Sequence, residues 1–164
     1  LKRNRQFHIL PFTLLISSFL VIASCTTVDV FEKNVAIPNH AWSSQFKPEI
    51  TFEIKDTTSL YDMYLVVRHT DAYRYKNIWV NIGMQAPGDS VAVSKSLELQ
   101  LATDSKGWLG TGMDDIFEHR ILITPAQRPQ LLKKGLYRFR LTNIMREDPL
   151  EHVMNVGIRV EKVK

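Results

Sequence analysis

From Glu49 onward the chain alternates apolar and polar residues with a period of two. The segments are ITFEIK, YDMYLVVRHT, NIWVNIGMQ and SLELQLAT, then residues 116–124, GLYRFRLTN from Gly135 to Asn143 and VMNVGIRVEKV from Val153 to Val163. Successive side chains of a strand point to opposite faces, so this pattern predicts strands with one buried face, and the β-branched and aromatic content agrees. The breaks carry turn chemistry: Asp56-Thr57-Thr58-Ser59, Thr70-Asp71-Ala72 and Ala86-Pro87-Gly88-Asp89. Helical candidates are few. MREDPLEH is short and interrupted by Pro149, and PAQRPQLLKK is split by Pro129. Short strands about a dozen residues apart, with no long amphipathic helix, predict an all-β domain over residues 47–164, an antiparallel two-sheet β-sandwich of immunoglobulin-like or jelly-roll-like type. Residues 25–46 read as a tether with a Pro38-Asn39 turn, leading to the first strand or an edge strand.

The beginning of the chain follows a different pattern. Lys2, Arg3 and Arg5 precede a stretch from Ile9 to Ile22 that is apolar apart from Thr13, Ser17 and Ser18. A bilayer-spanning helix needs about 20 such residues, so this stretch is short for a span and has the layout of an export signal. It ends in Ile22-Ala23-Ser24-Cys25, an aliphatic residue, two small residues and the chain's single cysteine. That is the pattern of a bacterial lipoprotein signal, in which the thiol accepts a diacylglycerol before cleavage. Two other readings exist, an ordinary signal with Cys25 as passenger and a catalytic thiol. Nothing in the surrounding sequence would lower the pKa of the thiol, and no second cysteine is present for a disulfide. The expectation is a signal over residues 1–24 and a lipidated Cys25 as mature N-terminus, anchored firmly by several acyl chains where one would bind only marginally.

Removing that signal changes the charge. The formal +4 comes from 21 basic and 17 acidic residues; without Lys2, Arg3 and Arg5 the balance is 18 against 17, or +1. A nucleic-acid partner, which calls for a clustered basic surface, is therefore not expected.

The sequence carries little that resembles catalytic chemistry. His40, His69, His119 and His152 are scattered, and no H-E-x-x-H occurs. Asp114-Asp115 with Glu118-His119 is the densest group of potential metal ligands, but adjacent aspartates on an extended chain point apart, and a solvated turn is the better reading. Gly107-Trp108-Leu109-Gly110-Thr111-Gly112 lacks the Lys-Ser/Thr of a phosphate loop, and its glycines suggest a tight loop that lays Trp108 against something. No G-x-S-x-G and no suitably placed carboxylate pair occurs, so neither an enzyme nor a cofactor is expected.

One set of residues is aromatic and cationic together: Arg68, Tyr73, Tyr75, Asn77, Trp79, Trp108, Met145 and Arg146. In NIWVN, Ile78 and Val80 share one face while Asn77, Trp79 and Asn81 share the other, which projects Trp79 among polar neighbours. Tyr, Trp and Arg are common interface anchors, so Arg68, Tyr73, Asn77, Trp79, Trp108, Met145 and Arg146 form the expected partner surface. The alternatives are core burial of at least one of the two tryptophans and a glycan-binding platform.

In order, these features resemble a known family. Arg68-His69-Thr70 with Tyr73 and Asn77-Ile78-Trp79, then Trp108-Leu109-Gly110-x-Gly112, Gly135-x-Tyr137, Met145-Arg146-x-x-x-Leu150 and Val156-Gly157-Ile158-Arg159-Val160-Glu161-Lys162 follow the lipoprotein signal. Together they look like the gliding-motility lipoprotein family GldH. The resemblance implies a Bacteroidetes outer-membrane lipoprotein, a non-enzymatic accessory of gliding motility and type IX secretion that works beside other motility lipoproteins and envelope proteins. Only Cys25 carries over with a known chemical role. Thr26 in place of an inner-membrane-retaining aspartate, and a lone Asp29 in place of an acidic export cluster, point to an outer-membrane anchor with the domain in the periplasm.

Overall fold

The computed structural model describes residues 30–124 and 130–163. The export signal, Cys25 and the first half of PAQRPQLLKK lie outside the described residues.

Among the described residues fourteen strands follow one another: β1 (Val30–Ala36), β2 (Ala41–Trp42), β3 (Glu49–Ile54), β4 (Leu60–Thr70), β5 (Asn77–Gln85), β6 (Val93–Gln100), β7 (Ala102–Thr103), β8 (Gly107–Trp108), β9 (Thr111–Met113), β10 (Ile116–Leu122), β11 (Gln130–Leu131), β12 (Gly135–Asn143), β13 (Leu150–Glu151) and β14 (Val153–Lys162). A six-stranded sheet runs β1-β14-β4-β10-β9, with β11 pairing the start of β4, and a four-stranded sheet runs β3-β12-β5-β6. Every pairing within them is antiparallel. The molecule is the all-β sandwich that the alternation predicts. Among the described residues the only helical segment is a 3₁₀ turn at Pro38–His40, and no helix is long and apolar enough to cross a membrane.

The period-two pattern becomes the core directly. On β4 Tyr61, Met63, Leu65, Val67 and His69 face inward; on β12 Tyr137, Phe139 and Leu141 do, and on β5 Ile78, Val80 and Ile82. Phe52 joins the layers, its ring stacked on Tyr137 at 5.3 Å and Phe139 at 5.6 Å and tilted against Phe31 at 5.3 Å. Trp42 is 0% exposed, and its indole N–H donates to the Phe46 carbonyl at 3.0 Å, so neither its surface nor its donor is left unmatched. This third tryptophan, and neither of the two weighed from sequence, is the fully buried one.

The tether differs from expectation where it is described. Val30–Ala36 forms β1, paired in full register with β14, so the sandwich includes this segment and does not begin at residue 47. An edge strand buries one face against one neighbour; Phe31 and Val35 are only half-buried, which mutes the alternation that reveals the central strands.

Candidate partner surface

Five of the seven expected surface residues gather at one end of the sandwich, where the β4–β5 and β12–β13 connections meet. Asn143, the last residue of β12, is buried and organises this end. Its side-chain amide donates to the Trp42 carbonyl at 2.9 Å, and its oxygen accepts from the Met145 N–H at 2.9 Å. The loop so held places Met145 beside β5, where the Trp79 N–H donates to Met145 Sδ at 3.2 Å and the Ile144 N–H donates to the Trp79 carbonyl at 3.2 Å. Trp79 (39% exposed) and Ile144 (41%) thereby become neighbouring apolar residues at the surface, with Arg146 exposed beyond them. Arg74 pairs with Glu147, whose carboxylate also accepts from the Tyr75 hydroxyl; that bond, with the carboxylate's charge, raises the Tyr75 pKa. Burial pushes the Tyr73 phenol up further, and its hydroxyl donates to the Asn77 carbonyl at 2.9 Å. Tyr73 is thus a buried brace, while Asn77 lies on the outer face and donates to Glu98 at 2.6 Å.

Trp108 borders this end through Tyr73, and Arg68 stands apart from it. β7 and β8 form a small hairpin that lays the half-buried Trp108 over His69, centroids 4.4 Å apart, and near Phe117 at 5.6 Å and Tyr73 at 6.2 Å. Gly110 permits this closure, because a β-carbon there would sit 2.5 Å from the Glu118 carbonyl oxygen. Arg68 is on the outer face of the six-stranded sheet, bound to Glu118.

Beneath Trp108 the fold joins two histidines that are far apart in sequence. His69 Nε2 and His119 Nε2 are 2.9 Å apart, with the rings nearly parallel. His69 Nδ1 is 2.7 Å from the Thr70 carbonyl oxygen, which can only accept, so the proton sits on Nδ1 and His69 Nε2 accepts from the N–H of His119. Both rings are buried, at 0% and 3% exposure. Burial lowers both pKa values, that of His119 to about 4 with the help of the His69 charge; the Thr70 bond only partly opposes the shift at His69. A neutral, hydrogen-bonded pair covered by Trp108 braces the core and has no open side for a substrate. The inward phase of His69 on β4 was visible in the alternation; its meeting with His119, fifty positions away, was not.

The acidic group at residues 114–119 separates as a strand geometry requires. Asp114 and Asp115 occupy the β9–β10 turn, Glu118 points outward to Arg68 and Arg120, and His119 points inward. Among the described residues no group of three or more His, Cys, Asp or Glu side chains is placed to hold a metal ion.

The whole domain matches known proteins. A family model described as GldH lipoprotein covers residues 29–160. The gliding motility lipoprotein GldH homolog of Christiangramia forsetii is 25% identical over 154 residues, spanning 90% of this chain and 92% of its own. The gliding motility lipoprotein GldH of Flavobacterium johnsoniae is 22% identical over 156 residues, spanning 91% and 94%. A carbohydrate-binding module specific for non-crystalline cellulose superposes with a TM-score of 0.40 at 11% identity, covering 81% of this chain and 72% of the module.

Proposed function

Because the chain belongs to the GldH lipoprotein family, we propose that it is a lipid-anchored, non-enzymatic accessory of gliding motility and the associated type IX secretion machinery. The lipid on Cys25 holds it to the outer membrane with the sandwich in the periplasm, and its partners are other motility or secretion lipoproteins and envelope proteins. Trp79, Met145 and Arg146 form the centre of the docking surface, Asn77 its rim and Tyr73 its buried support; Trp108 and Arg68 contribute from the adjoining hairpin and sheet.

The observation that carries this reading is the family match across nearly all of the sandwich, together with the names of two relatives aligned over about nine-tenths of the chain. The surface assignment rests on Trp79. It is a large aromatic residue left exposed at a point where Asn143 and Met145 fix the backbone around it, and rigid aromatic anchors ringed by polar groups are common at protein interfaces.

The test is crosslinking in the native organism, capture of the full-length protein and identification of its companions. The wild type should enrich motility or type IX secretion components over a Cys25→Ala control, and Trp79→Ala with Arg146→Ala should lose them at unchanged abundance. Retention of every companion by the double variant would remove the surface from the account, and enrichment of no motility or secretion component would remove the function.

A further inference from the structure

The outer face of the four-stranded sheet contains a hollow that the docking surface does not use. Side chains on this face come from alternate positions: Asn77, Trp79, Asn81, Gly83 and Gln85 on β5, Arg138, Arg140 and Thr142 on β12, and Ser94, Ser96 and Glu98 on β6. The register sets Gly83 between Arg140 on one side and Ser94 on the other. With no side chain at that point, longer neighbours stand around a gap of about 300 Å³, near the lower end of the range for small-ligand sites.

The lining identifies the chemistry. Asn81 and Gln85, each with one amide N–H already given to Ser96 Oγ and to the Asp89 carbonyl, keep a second N–H and an oxygen, Ser94 offers a hydroxyl, and two arginines supply positive charge. Arg140 is neutralised by Glu49, with Nε 2.9 Å from its carboxylate. Arg138, across from Thr51 and Gln85, has no ion pair among the described residues. An uncancelled guanidinium beside hydroxyl and amide groups fits a ligand with one anionic group and several hydroxyls. A peptide strand would instead seek an open sheet edge or apolar pockets, whereas the backbone groups of this face are already spent on the β12–β5–β6 ladders.

We propose that this hollow binds an acidic saccharide. Arg138 holds the carboxylate of a uronic-acid residue, and Asn81, Gln85 and Ser94 hold hydroxyls of the same chain. Four residues of β5 separate Gly83 from Trp79, about 13 Å at strand spacing, so an oligosaccharide seated at Gly83 extends toward an exposed aromatic ring. The protein-docking reading also uses Trp79, so the test rests on Gly83 and Arg138 alone, and failure of either reading leaves the other standing.

The experiment is titration calorimetry of the full-length protein in detergent, with uronic-acid tetrasaccharides prepared from pectate and from alginate, a neutral tetrasaccharide and a hexaglutamate peptide. At least one uronic tetrasaccharide should bind in preference to the neutral one, and Arg138→Gln should weaken it by about ten-fold or more, the scale of a charge-assisted hydrogen bond. Gly83→Leu, which fills the hollow, should abolish binding. No binding by any uronic tetrasaccharide, or binding unaffected by Arg138→Gln, overturns the proposal; hexaglutamate binding as tightly and with the same sensitivity reassigns the hollow to an acidic protein segment and overturns the saccharide.

Discussion

The two outer faces of the sandwich draw on the same residue types and end in opposite states. On the six-stranded sheet the charges close over the surface. Glu161, Arg159, Glu32, Arg120, Glu118 and Arg68 form a continuous chain of alternating sign across β14, β1, β10 and β4. Burial pushes the Glu32 carboxyl up, but the hydrogen bonds from Arg159 and Asn34 and the charges of Arg120 and Arg159 outweigh it, and its pKa lies below the ordinary value. The chain can lie flat because the positions between Asn34 and Arg120 are Gly157 and Val66; Val66 is fully buried although its phase on β4 points it outward. On the four-stranded sheet, among the described residues, only Arg140 of the two hollow-lining arginines finds a carboxylate, and Gly83 leaves a gap instead of a bed. Composition did not decide between a closed face and an open one. Register did, by placing opposite charges on adjacent strands in one case and polar amides beside an arginine in the other.

The two central glycines give the sharpest way to break this contrast. A β-carbon at Gly157 would lie 1.9 Å from the Asn34 side-chain oxygen and 2.6 Å from the Lys33 carbonyl oxygen, whereas one at Gly83 would come no closer than 3.3 Å to Ser94 Oγ and would make ordinary contacts with the Arg140 carbonyl oxygen and Cβ at 3.8 and 3.9 Å. Gly157→Val should cost about 3 kcal/mol or prevent folding, while Gly83→Ala should shift the denaturation midpoint by less than about 0.5 kcal/mol equivalent. Equal effects in chemical denaturation would mean that the faces are not built differently.

The acid response should come next in size, and it belongs to the six-stranded side. His69 and His119 are held neutral, so the unfolded chain binds protons that the folded chain refuses. Their contribution is fully present above the unfolded value of about 6.5 and is lost as pH falls below it, down to about 4 for His119. The melting midpoint should therefore drop between pH 6.5 and 4.5, and His119→Gln, which keeps a donor for His69, should flatten that slope. The depressed carboxyl of Glu32 adds its own loss, but only at lower pH, as it protonates. A flat wild-type profile over the upper window would contradict the buried-pair assignment.

Smaller effects separate the charges themselves. Glu118 serves Arg68 and Arg120 at once but is partly solvated, so Glu118→Gln should cost roughly 1 kcal/mol and less at high salt. Arg138→Gln, with no ion pair to lose among the described residues, should change stability by less than about 0.5 kcal/mol. A larger loss in the arginine variant than in the glutamate variant would reverse the assignment of closed and open faces.

Much of the fold was legible because the central strands are long and buried on one face; β4, β5, β12 and β14 coincide with the segments that alternate. The short strands were not. β7, β8 and β9 span two or three residues each, too brief to show a period, and GWLGTGM accordingly reads as a loop although its tryptophan does pack as that reading expects. β1 was hidden by its edge position. At the candidate surface the outward phase of Trp79 followed from NIWVN alone, while Ile144 and the bracing role of Asn143 depend on a loop fold that no local pattern encodes. The alternating charge chain was invisible for the same reason as the histidine pair: its members lie on four strands, and Glu32 and Arg159 are 127 positions apart.

The most direct measurement places a photocrosslinking residue at Ile144 in the living cell, beside Trp79, and for comparison at Leu122 on the closed face. The account predicts adducts from position 144 with a motility or secretion component, and none of these from position 122. Absence of any such adduct at 144, or the same adducts from both positions, would contradict the claim that this chain works by docking through the Trp79 end of its sandwich.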